Sequence, residues 1–453
     1  MLFRSVLTLR AQNTSVVGTN VTTLGANVTA GDLTINESTS LNIGNNIGIN
    51  DVRATNVTLN IGDNLFGPGN IVATTNVTLI ADNITLTNRA GQVQAGGTLN
   101  VVSTGNAAIN TNVATLVGST GKLTVVEIDG LTIGSANLVA SDNVSITTGG
   151  PLTLTGAINA GVNNVTLNVT GGISGSGRVT ADTLNVTATA TSAINTAVDT
   201  LVANVTSGDL TVFETNGLEV ASANVAAGSL TLQLAAGDLT STGNFTAAND
   251  ITLNAVTGNV TVDNFVVAGG NVSLLAAAGK VEADTLAAQV QGNLLTIRAQ
   301  NSSSVNTSVT TLAANITDPA ATLTVVEATA LTIGSAGVRT AGGNIDMTTG
   351  GSLTRTGDIN AVGGNVSLAV TGGITGTGLV TANVLTVDAT QASSINTAIN
   401  SVVADITGRF APLSIYETNG LVVSGASIET NDGAVLLDVA TGNLVVTSDL
   451  DAG

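Results

Sequence analysis

Leu230-Thr-Leu-Gln-Leu-Ala-Ala-Gly-Asp-Leu-Thr-Ser-Thr-Gly243 opens a stretch that restarts at Ile251-Thr-Leu and again at Val272-Ser-Leu, with sequence steps of 251 − 230 = 21 and 272 − 251 = 21. Within it, aliphatic residues alternate with Thr, Ser, Asn or Gln over three to six positions and stop at Gly, Asn or Asp. Alternation places one residue type on each face of a strand. Thr and Val suit pleated positions, and Gly and Asn suit tight corners. No segment shows an i, i+3, i+4, i+7 stripe, so no helix is predicted.

Working outward, a longer repeat frames this stretch. Leu-Thr-(Val/Ile)-x-Glu ends at Glu37, Glu127, Glu214, Glu327 and, with Ser for Thr, Glu417; a Leu follows four residues later each time. The spacings are 90, 87, 113 and 90. Upstream of each lies Val17-Gly-Thr, Ile109-Asn-Thr, Ile194-Asn-Thr, Val305-Asn-Thr or Ile395-Asn-Thr, with matching spacings of 92, 85, 111 and 90. The segments are approximately 7–98, 99–183, 184–294, 295–384 and 385–453, the last truncated. The third copy is longer by 113 − 90 = 23, the length of one finer unit, and 90/4 = 22.5 then gives four units per long repeat.

A unit of about 22 residues, with three short strands and Gly/Asn corners, cannot cover its own apolar face. Stacking at ~4.8 Å lets successive units pair in register and bury a continuous aliphatic column. The expected fold is all-β: a single-stranded parallel β-helix of about 20 rungs, with residues 1–453 as one continuous solenoid on the order of 100 Å long. A β-propeller usually carries aromatic blade signatures, and this chain has no Trp and 1 Tyr. An array of sandwiches at the long period does not gain one whole finer unit without disturbing its pairing.

Composition excludes several chemistries. Among 453 residues there is no Cys and no His, so there is no disulfide frame, zinc finger, thiol nucleophile or Ser-His-Asp triad. With 30 acidic and 11 scattered basic residues, the net charge of −19 does not suit nucleic acid. No run of about 18 apolar residues predicts a membrane span. The start, Met1-Leu-Phe-Arg-Ser-Val-Leu-Thr-Leu-Arg10, has no signal-peptide core, so the expectation is either secretion by another signal or a fragment of a longer protein.

Runs such as Gly228–Gly243 and Asp250-Ile-Thr-Leu-Asn-Ala-Val-Thr-Gly-Asn-Val-Thr-Val262 resemble the filamentous-haemagglutinin-type repeats of large bacterial surface exoproteins. The resemblance is one of texture over most of the chain. It implies a right-handed β-helix, an extracellular or cell-surface location, and a shaft whose partner is a surface receptor or glycan. Two features of the family are missing. Pro68, Pro151, Pro319 and Pro412 form no Asn-Pro motif of the family's secretion domain, and Ser-Asp-Leu-Asp-Ala-Gly453 is not the aromatic-ended strand of an autotransporter barrel. The resemblance therefore implies a shaft rather than a complete secreted machine.

The recurring glutamates are the most site-like feature. As cation ligands they would stand four rungs, roughly 19 Å, apart, too far to share an ion. As corner residues they would accept turn N–H groups, and this is the expected role. They are expected along one edge of the rod, with Leu33, Leu123, Leu210, Leu323 and Leu413 inward and Thr34, Thr124, Thr211 and Thr324 outward. The Asn-x-Thr/Ser triplets at Asn20, Asn27, Asn56, Asn76, Asn164, Asn204 and Asn259 match glycosylation acceptors formally; corner Asn at positive φ, stacked into amide ladders, is the expected role. Gly171-Gly-Ile-Ser-Gly-Ser-Gly177 lacks the helix and Lys of a phosphate loop. No catalytic, cofactor-binding or metal-binding residue is expected.

The reading is therefore a non-enzymatic adhesin shaft. The alternatives are a β-helical carbohydrate-active enzyme or carbohydrate-binding module, which would need paired carboxylates and sugar-stacking aromatics in a groove, and an ice-binding Thr array, interrupted by Arg355 between Thr354 and Thr356. Neither terminus shows a cap, so end-to-end self-association is expected.

Overall fold

The computed structural model describes residues 5–44, 51–425 and 427–453. Among them the regular elements are strands, with no helix, and the strands pair in parallel. The chain divides into two compact units, Met1–Thr215 and Asn216–Gly453. Each is a parallel β-solenoid, and together they hold about 21 turns.

A regular turn carries one strand of five residues and two of three. Leu33–Glu37, Leu41–Ile43 and Val52–Ala54 are followed one turn later by Val57–Ile61, Asn64–Phe66 and Ile71–Ala73. The alternation reads through directly: Leu33 and Ile35 point inward with no exposed surface, and Thr34 between them faces out. Leu123, Leu210, Leu323 and Leu413 are inward and fully buried in the same way. Each such leucine has a turn above and a turn below, so burial is complete and contributes about 1.5–3 kcal/mol. Phe245 is the one fully buried aromatic among the described residues, stacked in register between Ala223 and Val266.

Register shows how the long repeat relates to the turn. In the first unit Leu33, Val57, Val77, Leu99 and Leu116 form one column, with sequence steps of 24, 20, 22 and 17. Leu123 is not in that column. It stands on Ala107, Ile84, Leu65 and Leu41, one face further round. The next copy repeats this. Leu123, Val144, Val165, Leu184 and Leu201 stack with steps of 21, 21, 19 and 17, and Leu210 stands on Ser192 in the neighbouring column. In the second unit Leu323, Ile345, Val366, Leu385 and Val402 step by 22, 21, 19 and 17, and Leu413 stands on Ser393.

The long repeat, with its step of 90, is therefore four turns and a third, and the mean step per turn is 90/4.33, about 21. This corrects the expectation of four equal units of 22.5. It also corrects the placement of the glutamates, which within each unit advance one face per copy instead of lining one edge. The third copy does carry one extra turn: Glu219, Thr240, Thr261, Glu282 and Ser304 lead up to Thr324 in five steps, where Asn42, Phe66, Thr85 and Ala108 lead up to Thr124 in four.

The source of the third of a turn is a strand longer than any expected. Ala107–Thr120, Ser192–Val205, Ser303–Ile316 and Ser393–Ile406 each run 14 residues across more than one face. Their sequences hold no corner Gly-Asn pair. The bend is made by two consecutive outward residues, such as Ala114-Thr115 or Asp199-Thr200, after which alternation resumes. Without loop residues the step of that turn shortens to 17. Elsewhere corners require glycine: Gly175 and Gly376 hold φ of +112° and +105°, and an added Cβ would lie 2.2 Å from the carbonyl oxygen of Leu154 or Arg355 on the turn before.

Candidate functional site

Four of the five glutamates sit where the long strand outruns the turn that follows it, and Glu37 sits where the shorter strand Ser15–Thr19 ends. Adjacent parallel strands exchange N–H···O bonds along their whole pairing. Ala107 donates to the Lys122 carbonyl at 2.8 Å, and Ile128 donates back to Thr111 at 3.2 Å. The next donor on the long strand, Val113, faces a chain that has already turned at the corner. Glu127 Oε2 accepts it instead, at 2.9 Å, while Oε1 accepts the Ile128 N–H at 2.9 Å. The carboxylate continues the ladder where backbone acceptors stop.

All five copies share this geometry. Oε2 accepts Val21, Val198, Val309 or Ile399 N–H at 2.7, 3.1, 2.9 and 3.1 Å in Glu37, Glu214, Glu327 and Glu417. Oε1 accepts the corner N–H of Thr39, Thr215, Thr329 or Asn419 at 3.1, 2.6, 2.8 and 3.0 Å. Each of these glutamates is 1–3% exposed. The upstream signature is the other half of the device. Its threonines, Thr19, Thr111, Thr196, Thr307 and Thr397, pair in register with the glutamates, and the donor lies two residues beyond. Burial pushes the Glu127 carboxyl above its ordinary value, against the pull of the Val113 N–H, the Thr111 hydroxyl and the corner N–H groups. Both oxygens face protein donors, which is the turn role expected from sequence. Among the described residues no three acidic side chains cluster as a metal site.

Two further corner devices recur in both units. Ser192, Ser303 and Ser393 begin the long strands, and their hydroxyls accept the N–H of Ile173, Val281 and Ile374 at 3.1, 3.0 and 3.2 Å. Gln92 and Gln289 are fully buried; Gln92 Nε2 donates to the Gly67 and Gly69 carbonyls at 2.6 and 2.8 Å, and Gln289 Nε2 to Val262 and Asn264.

Asn56, Asn76 and Asn259 form the expected turn-to-turn ladders, but not at positive φ, while Asn27 and Asn204 lie within strands instead of at corners. The Asn76 N–H donates to Asn56 Oδ1 at 3.1 Å, Thr98 to Asn76 at 2.9 Å, and Lys280 to Asn259 at 3.0 Å. Among the described non-glycine residues only Asn137, Ala288, Val362, Phe410 and Asp432 have positive φ, so none of the triplet asparagines does. These asparagines need no left-handed backbone, because the corner is closed by the side chain bonding the next turn.

Arg355 is the residue that sequence reading misplaced. It lies inward with no exposed surface, at the position that Leu154 fills in the matching stretch of the first unit. Its guanidinium donates to the Gly378 carbonyl, to Ser394 at 3.0 Å and to Gly376 at 3.4 Å, while Nε has no partner. Burial lowers its pKa to about 10, partly opposed by Asp358. Alignment of Thr354-Arg-Thr356 with Thr153-Leu-Thr155 was the signal available: the middle residue of that triplet points in.

The outward surface is made of short rows. Phe66, Phe213, Phe410 and Tyr416 are exposed singly. No connection between consecutive strands, among those fully described, exceeds six residues. A shallow cleft of about 410 Å³ lies over Ala313, Ala314 and Gly337 between Arg298 and Arg339.

These features define a parallel β-solenoid with internally satisfied corners. No family model matches the chain, and neither a curated protein nor a solved structure matches it.

Proposed function

We propose that the chain is a non-enzymatic shaft of a secreted or surface-exposed bacterial adhesin-like protein, holding a binding region away from the cell. The observation that carries this reading is the brevity of the connections. With six residues at most in each fully described connection, those turns stack without side excursions. Each turn then adds ~4.8 Å of reach, and little accessible loop is left for a protease. A β-helical enzyme would build its groove from long loops. Here the buried carboxylates are engaged by corner N–H groups and do not face a cleft as a pair. The texture shared with filamentous-haemagglutinin-type repeats supports the surface location.

The turn formed by Val435–Val439, Leu444–Val446 and Leu450–Asp451 pairs on one side only, with Leu444, Val446 and Leu450 exposed. Antibody labelling of intact cells of the organism that encodes the chain tests the location; label that appears only after lysis overturns it. Turnover of pectin-, alginate- or glycosaminoglycan-like polymers by the purified chain overturns the structural role in favour of an enzyme.

A further inference from the structure

Basic side chains are scarce in this chain, 11 against 30 acidic, yet two of them share one outward column in the second unit. Arg298 pairs in register with Asn315, and Asn315 with Arg339, on three successive turns. All three are exposed. The ion pairs among the described residues are Arg53–Asp51, Lys280–Glu282 and Arg409–Asp432, so neither guanidinium is neutralised by a described residue of the chain. The cleft of about 410 Å³ between them has a floor of small residues, Ala313, Ala314 and Gly337, and is open to an incoming surface.

One long repeat later the same three positions carry the opposite charge. They are Asp388, Asp405 and Glu429, each a step of 90 further on (388 − 298, 405 − 315, 429 − 339), again in register and exposed. The next turn adds Asp451. Within one copy these carboxylates repel. Burial, with the charges of Asp388 and Glu429, pushes Asp405 above its ordinary value. The fold itself does not require charge here: in the first unit the matching column is Val102, Ser119 and Val139. A second basic column, Arg10, Asn27 and Arg53, exists in that unit, but Arg53 is held by Asp51 at 2.7 Å.

We propose that the Arg298–Asn315–Arg339 column docks against the Asp388–Asp405–Glu429 column of a second copy of this chain. In the parallel orientation each row is complementary: Arg298 with Asp388, Asn315 with Asp405, Arg339 with Glu429. The match follows from the shared pitch, since both columns repeat at ~4.8 Å per turn. An acidic ligand of arbitrary spacing would meet one arginine and miss the next. The two copies would be staggered by four and a third turns, about 21 Å. Because the long repeat advances one face per copy, the two columns lie on different faces. The arginine column continues into Asn360 and Thr381, and the acidic column descends from Ala369 and Thr348. A copy therefore engages one neighbour with each column, a heterologous and open-ended contact.

The test is sedimentation velocity of the full chain at about 20 and about 500 mM salt, concentrations that bracket weak and strong screening. Concentration-dependent association is expected at low salt and its loss at high salt. Arg298→Glu with Arg339→Glu, and separately Asp388→Arg with Glu429→Arg, should each weaken self-association at least tenfold while circular dichroism stays unchanged. Mixed one to one, the two variants should regain concentration-dependent association, because each supplies the column the other has lost and the two reversed columns are themselves complementary. A monomeric wild type at low salt, association indifferent to both reversals (as an end-to-end contact would be), or a mixture that stays monomeric overturns the proposal. So does a monomeric wild type whose arginine column instead retains polygalacturonate, since the column would then serve an external polyanion.

Discussion

Replacing Glu327 by alanine would strand two backbone donors at a corner. Glu327 is 1% exposed and accepts Val309 N–H at 2.9 Å, Thr329 N–H at 2.8 Å and the hydroxyls of Thr307 and Thr329 at 2.8 and 2.7 Å. The hydroxyls can rotate to other acceptors, but the two N–H groups cannot. A buried donor left unpaired costs about 1–3 kcal/mol, so the pair costs about 2–6 kcal/mol. Relief from holding a carboxylate out of water offsets part of this, and a net loss of about 3 kcal/mol is expected. Glutamine keeps one acceptor but points an amide donor at the other N–H, and should lose about 1–3 kcal/mol. Because repeat arrays open locally, the assay is native-state hydrogen exchange at the Val309 amide, supported by denaturant melts. Half-buried Glu282, ion-paired with Lys280 at the surface, is the control; its alanine variant should stay within about 0.5 kcal/mol. Unchanged protection at Val309 in the Glu327→Ala variant, or equal losses from Glu327 and Glu282, would refute the ladder role.

Three other outcomes follow from the same geometry. The raised Glu127 carboxyl binds its proton more tightly folded than unfolded, so its contribution is full below the unfolded carboxylate value and declines as pH rises through the folded one; Glu127→Gln should flatten that slope in melts run across the acidic range, and an unchanged slope counts against it. Arg355→Leu installs the residue found at Leu154 and should hold or raise the melting temperature, because a buried guanidinium without a carboxylate partner is a weak stabiliser; a loss above about 2 kcal/mol would show that its carbonyl contacts matter more than argued. Leu323→Asp should cost several kcal/mol, about what burying an unpaired charge costs, while Thr324→Ser stays below about 1 kcal/mol; similar losses from both would contradict the in-and-out alternation.

The amino-acid sequence by itself determined the strands, their facing and their parallel stacking. Leu323-Thr-Val-Val-Glu327 could bury Leu and Val only by alternating, and a unit as short as one turn could cover that face only with another copy of itself. It also located the corner glutamates and paired them, by spacings that agree to within two residues, with the upstream signature typified by Ile109-Asn-Thr. What it could not express was the face on which each copy lies. A residue count becomes an angle only if every turn has the same length, and here the step from one turn to the next varies between 16 and 26. The length is set by whether a corner is a Gly/Asn loop or two outward residues in an unbroken strand. That choice depends on contacts with the turns above and below. The third of a turn gained at Ala107–Thr120 therefore exists only in the stacked structure. For the same reason Arg355 reads as an interruption of a threonine row in one dimension and as a core residue in three. Neighbouring turns cover an inward position whatever its polarity, and the Gly378 and Ser394 carbonyls happen to receive the charge there.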